Sequence, residues 1–276
     1  MVTGIINKME LHILTLINTS TGGTILKTIL MTFTVFFFLF FCEANHIDAI
    51  TSSRAVYEKT GNVIWDGKTN EKIVAITFDD GPHPSYTPQI LDILAKYNAK
   101  ATFFVSGNKV KSNPDILIRE IKEGHEIANH TYHHYYDRNM TAELLSSELD
   151  KTDKVIWDIA KYKPTLYRPV GGLHNDTIIN TAVNKGFKVV LWSWHQDPQD
   201  WKRPAPNKIS SHIINSLRAG DIILLHDWSD RPQTVMALEP TLEYLYKNGY
   251  KCVTVSDLLF RSNQSSPGFF RTFPVE

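Results

Sequence analysis

Ile73-Val74-Ala75-Ile76-Thr77-Phe78-Asp79-Asp80-Gly81-Pro82 sets an apolar run directly against two carboxylates and a turn. A short continuous apolar run, rich in β-branched side chains and closed by Asp, Gly and Pro, reads as a strand buried on both faces. Strands of that kind belong to parallel sheets whose helical crossovers cover them. The run therefore predicts a strand that delivers Asp79 and Asp80 at its C-terminal end.

Outward from this strand the same alternation continues. Strands are predicted at 102–105, 126–128, 166–168, 188–192, 221–225 and 252–255. Helical periodicity fills the intervals 87–97, 114–123, 142–159, 176–184, 209–217 and 235–247. Short strands separated by longer helices imply an α/β fold with a mostly parallel sheet of about seven strands. Periodicity alone leaves a closed barrel and an open sheet as alternatives. Asp79-Asp80, His130, Arg168, Asp197 and His226-Asp227 all fall at or just beyond the C-terminal ends of predicted strands. Both architectures gather ligands and catalytic groups at that end.

The bulk properties narrow the function. The chain of 276 residues is 42% hydrophobic and 21% charged, with 29 basic and 29 acidic residues. Zero net charge argues against a nucleic-acid partner, because such proteins carry a basic surface. With 2 cysteines, Cys42 and Cys252, neither a disulfide framework nor a thiolate cluster is expected. Cys252 reads as a small buried hydrophobe. Near the N-terminus, Lys8 and Lys27 precede the uncharged run 29–41, which includes Phe36 through Phe41 interrupted by Leu39. That length suits a signal-peptide core and falls short of the roughly 20 residues of a comfortable membrane span. Export is expected, as a secreted protein or one anchored at the outer face of the cytoplasmic membrane. Membrane contact is expected through this segment alone, and no protein partner is implied.

The chemistry sits in residues that are unremarkable one at a time. Asp79-Asp80-Gly81-Pro82 fits an acidic turn, and His130 with His134 fits a surface pair at i and i+4. Taken together, two imidazoles and one carboxylate can hold a divalent metal with a coordination position left for water. The second carboxylate is then free to act on that water.

Five motifs between Thr77 and Asp227 resemble those of the polysaccharide deacetylase family, the carbohydrate esterases built on the NodB homology domain. Thr77-Phe78-Asp79-Asp80-Gly81-Pro82 is similar to the first motif, and the resemblance implies Asp79 as catalytic base and Asp80 as metal ligand. His130-Thr131-x-x-His134 is similar to the second and implies both histidine ligands, with His133 pointing elsewhere. Arg168-Pro169 resembles the start of the third, whose arginine pairs with the catalytic aspartate. The family continues with proline, an aromatic residue and glycine, whereas this chain has Val170-Gly171-Gly172. The aromatic wall at position 171 is thus missing, although the backbone N–H of Gly171 is expected to face the substrate oxygen. Asp197-Pro198-Gln199-Asp200-Trp201 resembles the fourth motif, with Asp200 expected to orient the catalytic histidine and Trp201 to form groove wall. Leu224-Leu225-His226-Asp227 resembles the fifth, with His226 as general acid and Leu225 lining the acetyl pocket.

The resemblance further implies a distorted (β/α)7 barrel of the NodB homology type and a divalent metal, Zn²⁺ with Co²⁺ or Mn²⁺ as substitutes. The implied reaction is hydrolysis of the acetamide of N-acetylglucosamine residues, with peptidoglycan as the expected polysaccharide. Chitooligosaccharide N-deacetylation, O-deacetylation of acetylated xylan and a non-enzymatic glycan-binding role are the alternatives. The expected organisation is a signal peptide or anchor over 1–42, a lead-in over 43–71, the catalytic domain over 72–260 and a tail over 261–276.

Overall fold

A computed structural model describes residues 54–228 and 232–262; the apolar run 29–41 and most of the expected tail lie outside them. The described residues from Glu58 onward form one unit. In chain order its elements are β1 (Val63–Ile64), β2 (Ile73–Asp79), α1 (Tyr86–Lys96), β3 (Ala101–Val105), α2 (Gly107–Ser112), α3 (Pro114–Lys122), β4 (Glu126–Asn129), α4 (Ala142–Ala160), β5 (Leu166–Tyr167), α5 (Asp176–Asn184), β6 (Lys188–Val190), α6 (Pro206–Ser216), β7 (Ile222–His226), α7 (Pro232–Lys247), β8 (Lys251–Cys252) and α8 (Val255–Arg261). None of the described helices is long and apolar enough to cross a membrane.

The strands pair in the order β1-β6-β5-β4-β3-β2-β7, all in parallel, and β8 joins β2 off this path. The chain that follows β6 bonds to β7, at the far end of the order. Ser193 N–H donates to the Ile222 carbonyl and Leu224 N–H to the Gln196 carbonyl, each at 3.0 Å. These bonds close the distorted (β/α)7 barrel. The choice between barrel and open sheet is made by this irregular segment, which has no strand periodicity to announce it.

Side chains of β2 alternate strictly between two environments, as the strand's period of two requires. Val74, Ile76 and Phe78 pack outward with Ile90, Leu91 and Leu94 of α1 and Leu238 and Leu242 of α7. Burying each such side chain contributes about 1.5–3 kcal/mol. Ile73 and Ala75 turn inward with Ala128, Val190 and Ile222. Thr77 and Asp79 continue that inward row, so the strand's pleat aims Asp79 into the barrel mouth.

Local signals set several helix starts. Thr141 caps α4 by accepting the Leu144 N–H at 3.2 Å, and Asn175 caps α5 through the Ile178 N–H at 2.9 Å. Pro114 opens α3 and Pro206 opens α6, where a missing N–H costs nothing. Two departures from expectation have local causes. The strand expected over 252–255 stops at Cys252, because Thr254 caps α8 by accepting the Asp257 N–H at 3.2 Å. The lead-in over 43–71 contains β1, whose Val63 and Ile64 pair with β6. Cys252 packs against the outer core, and burial pushes its thiol up to about 12.

Candidate active site

Three strand ends bring the carboxylates and imidazoles together. Asp79 ends β2, His130 follows β4, and His226 ends β7. Asp80, His130 and His134 each offer a donor atom, all within 4.8 Å of one another, the one such cluster among the described residues. His134 Nε2 lies 2.7 Å and His130 Nε2 3.3 Å from Asp80 Oδ1.

The donor set fits a divalent cation, and the surroundings prepare it for one. His130 Nδ1 lies 2.8 Å from the Arg168 carbonyl oxygen. That carbonyl can only accept, so Nδ1 carries a proton, and Nε2, turned toward Asp80, is the ring nitrogen that would ligate a cation. Burial alone would raise the Asp80 carboxyl. Hydrogen bonds from His130 and His134 and the charge of His226 overcome it and hold Asp80 well below the usual carboxylate range. Asp80, Thr131 and His134 adopt left-handed backbone at φ 79°, 68° and 59°. Such residues cost on the order of 1 kcal/mol or more each and cluster where function over-determines geometry.

Asp79 belongs to a different set of contacts. Arg168 is fully buried and donates from Nη1 to Asp79 Oδ1 at 2.7 Å and to the Thr77 hydroxyl at 2.8 Å. Its Nε and Nη2 donate to the carbonyls of Val190 and Leu191 at 3.1 and 2.8 Å. The guanidinium carbon lies 3.9 Å from the centre of the Phe104 ring. A guanidinium so fully engaged is a fixed fork, and its orientation fixes the Asp79 carboxylate.

Across the cleft, His226 Nδ1 and its main-chain N–H meet the two oxygens of Asp200 at 2.7 and 2.9 Å, and the Thr234 hydroxyl donates to Asp200 at 2.7 Å. Burial acts to depress the imidazole. The Asp200 charge and hydrogen bond, reinforced by Asp80 and Asp79, raise it instead to about 9. Beside it, burial and the charges of Asp80 and Asp79 push Asp227 up to about 7 against the Thr87 hydrogen bond.

The structure thus brings together Asp79, Asp80, His130, His134, Arg168, Gly171, Asp200, Trp201 and His226. All but Arg168 and Asp200 border a cleft of about 410 Å³, which also takes in Tyr136, Val170, Trp192, Asp197 and Leu224. Leu225 does not reach it. The pleat of β7 puts Leu225 with Ile223 in the outer core against the helices, and Leu224 takes the place expected of it. His133 points away as expected, its Nδ1 2.8 Å from Glu148 Oε1.

Sequence reasoning missed several supporting groups. Thr77 was findable, since period two places it on the same face as Asp79. Glu148 was not: it sits on α4 and accepts the N–H groups of Tyr132 and His133, fixing the histidine loop from a distant element. Thr234 and Tyr136 carried no motif signal either.

A closed parallel barrel whose mouth holds a His₂Asp cluster, a separate arginine-bound carboxylate and a carboxylate-bound imidazole defines a metal-dependent hydrolase. The polysaccharide deacetylase family model matches residues 66–190. A peptidoglycan-N-acetylglucosamine deacetylase of Bacillus cereus is 49% identical over 207 residues, covering 75% of this chain and 97% of the relative. The crystal structure of the Bc1960 peptidoglycan N-acetylglucosamine deacetylase superposes with a TM-score of 0.71 at 30% identity, over 74% of this chain and 95% of that one. A carbohydrate esterase family 4 pseudoenzyme from Bacillus anthracis superposes with a TM-score of 0.67 at 29% identity, over 72% and 69% of the two chains. The chain belongs to the polysaccharide deacetylase family.

Proposed function

We propose that this protein hydrolyses the acetamide of N-acetylglucosamine residues in peptidoglycan, releasing acetate and leaving a free amine on the glycan. The observation that carries the reading is the division of labour between neighbouring aspartates. Asp80 joins His130 and His134, while Asp79 is held by Arg168 with its second oxygen 3.8 Å from His130 Nε2. The base is therefore beside the cation site without belonging to it.

Asp80, His130 and His134 would hold the ion, with Zn²⁺ favoured and Co²⁺ or Mn²⁺ also suited to a His₂Asp set. A divalent ion there supplies Lewis acidity toward the carbonyl and lowers the pKa of water. Asp79 accepts a proton from the attacking water as its oxygen bonds to the carbonyl carbon. The N–H of Gly171 faces the oxygen on which charge develops. The carbon–nitrogen bond breaks as His226, charged at neutral pH by its raised pKa, gives its proton to the departing nitrogen. Asp200 holds that imidazole in place and stabilises its positive form. Trp201 and Leu224 wall the cleft around the sugar and its acetyl group.

The scaffold by itself does not decide activity, since a pseudoenzyme shares it. The complete set of base, ligands, acid and both positioning partners favours catalysis over glycan binding alone. The relative's stated substrate favours peptidoglycan. The charged lysines before the run 29–41 support export, with the protein secreted or anchored at the outer face of the cytoplasmic membrane.

The test is acetate release and product mass on peptidoglycan, N-acetylated chitooligosaccharides and acetylated xylan. Acetate from the first, with a free amine in the product, is expected. Release from xylan alone, or retention of glycan without acetate by zinc-loaded protein, would overturn the reading.

A further inference from the structure

Position 171 lacks a side chain, yet the space above it is filled. Gly171 sits in the turn Val170–Gly172 with φ 60°, where a side chain is strained. A Cβ built there would lie 2.8 Å from Cδ2 of Tyr136 and closer still to Cε2. The Tyr136 ring and a side chain at 171 are thus alternative occupants of one volume.

We propose that Tyr136 is the aromatic wall of the sugar subsite, supplied by the loop between β4 and α4 in place of a side chain at position 171. This rests on the reading of the protein as an N-acetylglucosamine deacetylase and names a binding residue for that reaction.

Three observations carry it. The ring borders the same cleft as Asp79, Asp80, His130 and His134, together with Trp192 and Trp201. It is 61% exposed, so it is a large apolar surface left open at the cleft and not a core residue. A pyranose ring offers a face of C–H groups to such an aromatic plane and hydroxyls to its rim, which suits an amphipathic ring with a polar tip. Its distance from the metal cluster is also preset. Tyr136 follows the ligand His134 by two positions in a loop whose Tyr132 and His133 N–H groups are tied to buried Glu148, and His133 stacks on Tyr135 at 5.1 Å. The ring above Gly171 is thus carried by the same loop as His134.

Tyr136→Ala, Tyr136→Phe, Gly171→Ala and the double variant Tyr136→Ala/Gly171→Ala, each loaded with zinc, test this on a β-1,4-linked N-acetylglucosamine pentamer. Tyr136→Ala should raise KM about fivefold with the loss confined to KM, since one ring–sugar stack is worth on the order of 1 kcal/mol. Zinc content and thermal midpoint should match those of the unaltered protein. Tyr136→Phe, which keeps the ring, should restore KM to within about twofold. Gly171→Ala should raise KM by displacing the ring, and add nothing further once Tyr136 is alanine. An unaltered KM in Tyr136→Ala, or a loss that tracks falling zinc content, would overturn the proposal while leaving the deacetylase reading intact. An unaltered protein that releases no acetate from the pentamer or from peptidoglycan would overturn both.

Discussion

His130 Nδ1 lies 2.8 Å from the main-chain oxygen of Arg168, so one residue joins the Asp80, His130 and His134 cluster to Asp79. The side chain of Arg168 fixes Asp79 and its carbonyl fixes the His130 ring. Displacement of this one residue disturbs Asp79 and His130 together.

Arg168→Lys should therefore cost more than a charge-conserving change suggests. Lysine cannot reproduce contacts to Thr77, Asp79, Val190 and Leu191 from one planar fork. Weakening a buried ion pair in this way should lower stability by about 3 kcal/mol. Urea unfolding with and without zinc, alongside kcat, checks the expectation.

Asp79→Asn should separate turnover from metal binding. Removing a base of this kind is expected to lower kcat by about 10²- to 10⁴-fold, while zinc stoichiometry stays near that of the unaltered protein. His130→Ala should lose both. An Asp79→Asn protein with full activity would exclude Asp79 as the base.

The alkaline limb of the pH–rate profile should report His226. The acid must be protonated, so activity falls as pH rises through its folded pKa, which is about 9 before a cation offsets the neighbouring carboxylates. Asp200→Asn removes the main group raising that value, so the limb should move to lower pH by roughly one unit or more. A limb that stays in place under Asp200→Asn would remove His226 from the role of acid.

Chelation should abolish activity without unfolding the protein. The Asp80, His130 and His134 cluster lies at the barrel mouth, outside the two apolar cores. Dialysis against a chelator should leave far-ultraviolet circular dichroism unchanged, and re-addition of zinc should restore acetate release. Full activity with metal shown absent would refute the scheme.

Glu120 should be a stability liability near neutral pH. It is fully buried on α3, neither carboxyl oxygen has a hydrogen-bond partner among the described residues, and burial raises its pKa well above the ordinary value, with Asp227 adding to the shift. The folded state binds this proton more tightly than the unfolded chain does. Its contribution is thus fully favourable below the ordinary carboxyl value and is lost as pH rises toward the folded one. Glu120→Gln should stabilise the protein by about 1 kcal/mol at pH near 7.5, roughly 2–4 °C in thermal midpoint. The gain should vanish near pH 4.5, which calorimetry at the two pH values would show.

The sequence by itself determined the parallel α/β class, the position of the site at the strand ends and the residues that meet there, Asp79, Asp80, His130, His134 and His226. Those features are local: an apolar run, a turn and an i, i+4 pair are each written within one short segment. Tertiary structure alone decided that the barrel closes, through main-chain bonds from Ser193 and to Gln196 that depend on backbone path and not on side-chain pattern. That Leu224 and not Leu225 faces the cleft was legible in the sequence, since period two puts Leu224 on the same face as His226. Tertiary structure also placed Tyr136 over Gly171 and Glu148 beneath the histidine loop, since each contact joins segments whose encounter no local pattern encodes.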